Sequence, residues 1–130
     1  MTLKTGVAAL VAAAEARIER LTPEQARALA EDPTVRFVDI RDVRELKREG
    51  TLPGALHAPR GMLEFWVDPD SPYHKPDFAS GQRFVLFCAL GHRSALATAQ
   101  LQDMGFGPVC DIEGGFEAWR EAGGMVEERG

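Results

Sequence analysis

The run Cys88-Ala89-Leu90-Gly91-His92-Arg93-Ser94 sets a cysteine, a glycine and an arginine between two stretches of opposite character. Before it, Arg83-Phe84-Val85-Leu86-Phe87 is apolar and reads as a buried strand; after it, Ser94 to Leu101 is alanine-rich and reads as a helix. A cysteine at a strand end, facing the first turn of a helix, lies where unpaired N–H groups and the helix dipole stabilise an anion. Such surroundings lower a thiol pKa and hold the thiolate, which is the nucleophilic form. Gly91 lets the loop adopt backbone angles closed to other residues, so that several N–H groups can turn inward as an anion nest. Arg93 adds positive charge. The other reading of Cys88 is a small buried apolar residue closing a hydrophobic strand. The glycine, the arginine and the strand-to-helix setting favour the catalytic cysteine.

The elements that must position this run alternate along the chain. Residues 6–20 read as an amphipathic helix, with Val7, Leu10, Val11, Ala14 and Ile18 at three- and four-residue spacings. Its stripe is expected to dock on the rest of the chain, a homodimer or partner surface being the alternative. Residues 21–130 then form the main domain, in a single compact unit overall. Thr22-Pro23-Glu24-Gln25 combines a capping threonine, a proline at the first helical position and a glutamine three residues after the cap. A strand is expected over Val35 to Ile40, a charged helix over Asp42 to Glu49 ended by Gly50, and a short extended run over Ala55 to Ala58. Residues 61–82 are the least regular: Gly61 to Trp66 suits a helical turn, and Pro69, Pro72, Pro76 and Gly81 argue for loop. A last strand over Val109 to Ile112 and a last helix over Phe116 to Ala122 follow. The alternation implies a mainly parallel α/β sheet of about five strands with helices on both faces, plus the extra N-terminal helix. In such sheets, sites form at the carboxyl ends of strands, where Cys88 falls.

Composition narrows the function. At 130 residues the chain is one domain, and 45% hydrophobic with 27% charged residues is an ordinary soluble globular balance. A net charge of −5, without a basic run, argues against a nucleic-acid partner. No apolar stretch reaches membrane-spanning length, and the short apolar run from Val7 to Ala14 is a poor signal peptide. A cytoplasmic location is expected, where a free reactive cysteine stays reduced. The other cysteine, Cys110, reads as core. His57, His74, His92 and Cys88 show no zinc-ligand spacing, so neither metal nor cofactor is expected.

Four segments, in order, resemble the rhodanese-like sulfurtransferase family. Val38-Asp39-Ile40-Arg41 is similar to its aspartate-x-arginine segment. Gly50-Thr51-Leu52-Pro53-Gly54-Ala55 is similar to its glycine-histidine-isoleucine-proline-glycine-alanine turn, with Thr51 in place of the histidine. Cys88 to Ser94 is similar to the active-site loop, and Ile112-Glu113-Gly114-Gly115-Phe116-Glu117-Ala118-Trp119 to the closing glycine-glycine-x-x-x-tryptophan segment. Four residues separate Cys88 from Arg93. The related phosphatases and arsenate reductases place one more there, which widens the cradle for phosphate or arsenate. The resemblance therefore implies sulfur transfer through a persulfide on Cys88.

On that implication, the donor is a small molecule such as thiosulfate or another persulfide, and the acceptor is cyanide, a thiol or a protein thiol. Ala89, Leu90, Gly91, His92, Arg93 and Ser94 are the expected substrate-binding residues, through their N–H groups and the Arg93 fork. Ala89 stands where many thiosulfate-using members carry a second cation, which argues against thiosulfate as the natural donor. Arg93 has a second reading, a salt bridge to Asp39 or Glu113 that ties the loop down. His92 either tunes the cysteine or faces solvent, the latter preferred. Trp66, Tyr73, His74 and Lys75 form either a wall beside the loop or a surface excursion whose aromatics pack down. A persulfide carrier and a non-catalytic regulatory module of the same fold are the rival functions.

Overall fold

The computed structural model describes residues 1–129 and holds five parallel strands in one sheet. In chain order the elements are α1 (Val7–Glu15), β1 (Arg20–Leu21), α2 (Pro23–Ala28), β2 (Val35–Asp39), α3 (Val43–Glu49), β3 (Leu56–His57), α4 (Leu63–Val67), β4 (Arg83–Phe87), α5 (His92–Asp103), β5 (Val109–Ile112) and α6 (Gly115–Glu121). Two single 3-10 turns, Arg60–Met62 and Pro76–Ala79, break the connection between β3 and β4. The strand order is β1-β5-β4-β2-β3, so β4 is central and Cys88 leaves the sheet at the middle of its carboxyl rim.

Alternation along the strands sorts the core into two layers. Val38, Phe84, Leu86 and Cys88 point to one face, where they meet Leu63, Phe78, Ala97 and Leu101. Phe37, Val85, Phe87, Cys110 and Ile112 point to the other, against Ala26, Phe116 and Trp119. Cys88 thus continues the inward alternation of β4 one step beyond its last paired residue. This aims its sulfur under α5.

Local signals place the helices. Thr22 caps α2, accepting from the Gln25 N–H while the Gln25 side chain accepts from the Thr22 N–H. Asp42 and Glu45 make the same reciprocal cap on α3, and Gly50 closes that helix. Two boundaries differ from expectation. The N-terminal helix stops at Glu15 instead of running to residue 20, because residues 19–21 are drawn onto the sheet. Asp111 donates its N–H to the Glu19 carbonyl and Glu113 donates to Leu21. The helix after Cys88 starts at His92, two residues earlier than Ser94, because Gly91 with φ 97° serves as its cap. Helix α1 and the turn after it lie on α5, where Ala14 of the helix and Ile18 of the turn join Ala95, Leu96 and Ala99 in one apolar cluster.

Candidate active site

Cys88 is 1% exposed, and its sulfur lies inside the turn that links β4 to α5. It accepts N–H hydrogen bonds from Gly91 at 3.2 Å and Ser94 at 3.3 Å. His92 and Arg93 fill the first turn of α5, whose N–H groups have no partner within the helix. The arrangement is an anion site built from backbone, and the sulfur occupies it.

Two glycines make the turn this tight. A side chain at Gly91 would meet the Arg20 guanidinium and the Gly114 nitrogen. At Gly115, φ is 65° and a Cβ would come within 2.5 Å of the Cys88 carbonyl oxygen. That approach lets α6 hydrogen-bond the loop from below: Phe116 donates to the Cys88 carbonyl at 2.8 Å and Glu117 to the Ala89 carbonyl at 3.1 Å. With those carbonyls held outward, the peptide N–H groups that follow are free to turn in.

The side chains of the loop divide by exposure. Leu90 is 53% exposed and Ala89 partly so; His92 and Arg93 point to solvent, and Ser94 is buried. Arg93 does not pair with Asp39 or Glu113. Its fork holds Glu45 on α3, at 2.9 and 3.1 Å. The hydrogen bond to Glu45 raises the guanidinium pKa against the opposing effect of burial, and the nearby Cys88 sulfur adds to the rise. In return Arg93 holds the Glu45 carboxyl below its ordinary value. Asp39 instead forms a buried bidentate pair with Arg41, completed by the Thr51 hydroxyl at 2.7 Å. The Arg41 guanidinium also donates to the Gly50 carbonyl and lies 4.4 Å over the Phe116 ring. Thr51, where the resemblance leads one to expect histidine, is therefore a fastener of the turn under α3.

Behind the loop lies a group of side chains that sequence reading missed. Asp111, fully buried on β5, accepts the Ser94 hydroxyl at 2.7 Å and two N–H groups of Arg20, each at 2.9 Å. Arg20 further donates to the Gly91 carbonyl at 2.8 Å and to Glu15 at 2.6 Å. A signal was present: an aspartate within a strand buried at every position requires a partner. Cys110, one residue before it, is buried and burial pushes its thiol up to about 11, which suits core and not chemistry. In the segment 61–82 the Lys75 ammonium sits 4.6 Å over the Trp66 ring, His74 Nδ1 meets the Trp66 carbonyl, and Tyr73 packs edge-on to Phe65. These side chains engage one another.

Comparison with known proteins agrees with this geometry. The rhodanese-like domain model matches residues 22–122. Thiosulfate sulfurtransferase GlpE of Pseudomonas savastanoi is 32% identical over 105 residues, spanning 78% of this chain and 87% of that protein. The polysulfide-sulfur transferase homodimer of Wolinella succinogenes superposes with a TM-score of 0.68 at 32% identity, over 92% of this chain and 85% of its own. A Rhodopseudomonas palustris protein of unknown function, described as a possible tyrosine phosphatase, superposes with a TM-score of 0.94 at 51% identity over 98% of both chains.

Proposed function

Because the chain belongs to the rhodanese-like domain family, we propose that it moves a sulfane sulfur from a small-molecule donor to a thiophilic acceptor through a persulfide on Cys88. The observation that carries this reading is the Cys88 sulfur inside a turn whose Gly91 and Ser94 N–H groups lie 3.2 and 3.3 Å from it. In the first step the thiolate forms an S–S bond to the donor's outer sulfur. The donor's own S–S bond breaks, and its remainder leaves with the electron pair, as sulfite when the donor is thiosulfate and as a thiolate when it is a persulfide. In the second step a cyanide or thiolate acceptor attacks the outer sulfur of the persulfide, and Cys88 departs as thiolate. The loop N–H groups serve every anionic stage, and preorganised donors of this kind are each worth about 3–4 kcal/mol where measured. The covalent intermediate makes the kinetics ping-pong.

Next to the cysteine the loop is apolar. Ala89 and Leu90 follow the cysteine, and the nearest guanidinium, Arg93, is held by Glu45. This supports a persulfide or polysulfide donor, with a low-molecular-weight or protein thiol as acceptor, over the dianion thiosulfate. Among the described residues no helix is long and apolar enough to cross a membrane. A reducing cytoplasm is the setting that keeps such a thiol free.

Incubating the protein with thiosulfate or an organic persulfide, then measuring its intact mass, tests the reading. Sulfur transfer adds about 32 Da, one sulfur atom, to the peptide holding Cys88, and cyanide removes it. A protein that stays unmodified with both donors is not a sulfurtransferase. The description attached to the R. palustris structure raises phosphate-ester hydrolysis as a second reading. The four-residue gap between Cys88 and Arg93 weighs against it, and turnover of p-nitrophenyl phosphate lost in a Cys88 variant would reverse that judgement.

A further inference from the structure

The Ser94 hydroxyl lies 3.6 Å from the Cys88 sulfur, close enough to suggest a donor to its thiolate. A hydroxyl has one hydrogen, and three acceptors surround this one. Asp111 Oδ2 is 2.7 Å away, the Gly91 carbonyl 3.3 Å and the sulfur 3.6 Å. The carboxylate is nearest and the most strongly accepting, and the Gly91 carbonyl already receives Arg20 at 2.8 Å. Asp111 is fixed in turn by the two N–H groups of Arg20, so it keeps its aim. Sulfur transfer as described above uses neither Arg20 nor Asp111. We infer that Asp111, held by Arg20, is a positioning residue that captures the Ser94 hydroxyl hydrogen and keeps it from the Cys88 sulfur.

The inference rests on Cys88 being the nucleophile of the proposed reaction. In this arrangement Ser94 Oγ shows the sulfur only lone pairs. It accepts the S–H of the thiol and gives nothing to the thiolate. A thiolate with one donor fewer is more basic, and the intrinsic nucleophilicity of sulfur rises with its basicity.

Other charged groups lie on the elements packed around the loop. Arg93 and exposed His92 come from α5, and Glu45 on α3 pairs with Arg93. Arg20 and Glu15 reach in from the N-terminal segment, and Glu113 follows β5 near Arg20. Beyond β2, Asp39 and Arg41 neutralise one another, and His57 on β3 meets the Arg41 carbonyl. None of these changes when the hydroxyl is rotated or removed, which makes the hydroxyl separable by mutation.

The test is the pH dependence of iodoacetamide alkylation of the full chain, read by peptide mass spectrometry so that Cys88 and Cys110 are counted apart. Ser94→Ala is expected to leave the Cys88 midpoint within about half a pH unit of the parent, because the hydroxyl was not donating to sulfur. A larger rise means that it was, and overturns the inference. Asp111→Asn replaces the carboxylate with a neutral amide, which competes less strongly for the hydroxyl hydrogen, and is expected to lower the midpoint by about one unit; no change or a rise overturns it. In the double variant at least half of that fall is expected to vanish. A fall that persists undiminished reports the lost carboxylate charge alone and also overturns hydroxyl capture. If Asp111→Asn fails to fold, the Ser94→Ala midpoint decides by itself. Sulfur-transfer assays run alongside keep the two conclusions apart. A chain that shows these shifts yet loads no sulfur refutes the transfer reaction alone, and one that loads sulfur without the shifts refutes this inference alone.

Discussion

At the scale of single residues, two cysteines buried to the same degree differ by what surrounds the sulfur. Cys88 meets N–H groups from Gly91 and Ser94, whereas Cys110 lies in the apolar layer beneath α6. Replacing Cys88 with serine is expected to abolish persulfide formation and thiocyanate production while leaving the circular dichroism spectrum unchanged. Persulfide found at Cys110 in that variant would move the nucleophile. The Arg93–Glu45 pair gives a second prediction. Glu45→Gln keeps the shape and removes the charge that neutralises Arg93, so the KM for thiosulfate is expected to fall about threefold to tenfold. Arg93→Ala removes the cation and is expected to lower kcat/KM for the same donor by about one to two orders of magnitude, the worth of a charged hydrogen bond of roughly 1.5–3 kcal/mol. Steady-state kinetics on both variants decides whether Arg93 meets the donor. Opposite shifts in the two place it at the donor's anionic end, and unchanged kinetics in both reduce it to a tie between α3 and α5.

Among elements, those announced by their own residues were legible in the sequence, and those made by contact were not. The reciprocal cap of α2, the glycine that ends α3 and the apolar run of β4 are local, and each appears where its residues lead one to expect it. Strand β1 could not be read, because two residues after a helix carry no pattern and exist as a strand only through pairing with β5. The backbone part of the site was visible as the run from Cys88 to Ser94. Its side-chain support was not, since Glu45, Asp111 and Arg20 lie 43 residues before, 23 after and 68 before the cysteine. The packing of α6 against the loop was present only as the Gly114-Gly115 pair. Gly115→Ala tests how much the loop depends on it. The added methyl meets the Cys88 and Ala89 backbone in a conformation unfavourable to alanine, so a loss of about 2 kcal/mol or more in urea unfolding is expected, together with slower alkylation of Cys88. An unchanged midpoint would mean that α6 moves away without cost and that the loop holds its own shape.

For the whole molecule, the elevated thiol of Cys110 ties stability to alkaline pH. Its folded pKa, about 11, lies above the ordinary thiol value of 9.0, so the unfolded chain gives up the proton first. Stability is intact below about pH 9 and falls as pH rises toward 11, by about 2–3 kcal/mol for a two-unit gap. Urea unfolding at pH 8 and at pH 10.5 measures it. Cys110→Ala is expected to lose roughly 1 kcal/mol at pH 8 to the smaller side chain and to flatten the alkaline decline. A decline as steep in the variant would assign it to other groups. The Arg20 anchor described behind the loop has a further consequence, for how portable this unit is. The family signature spans residues 22–122, yet Arg20 precedes it, and Glu127 and Arg129, which bond to Thr51, Gly54 and Ala55, follow it. A fragment cut to the signature, or a fusion joined at its borders, strips the buried Asp111 of its cation and frees the turn under α3. The piece that can be transplanted between proteins is therefore larger than the piece that similarity recognises.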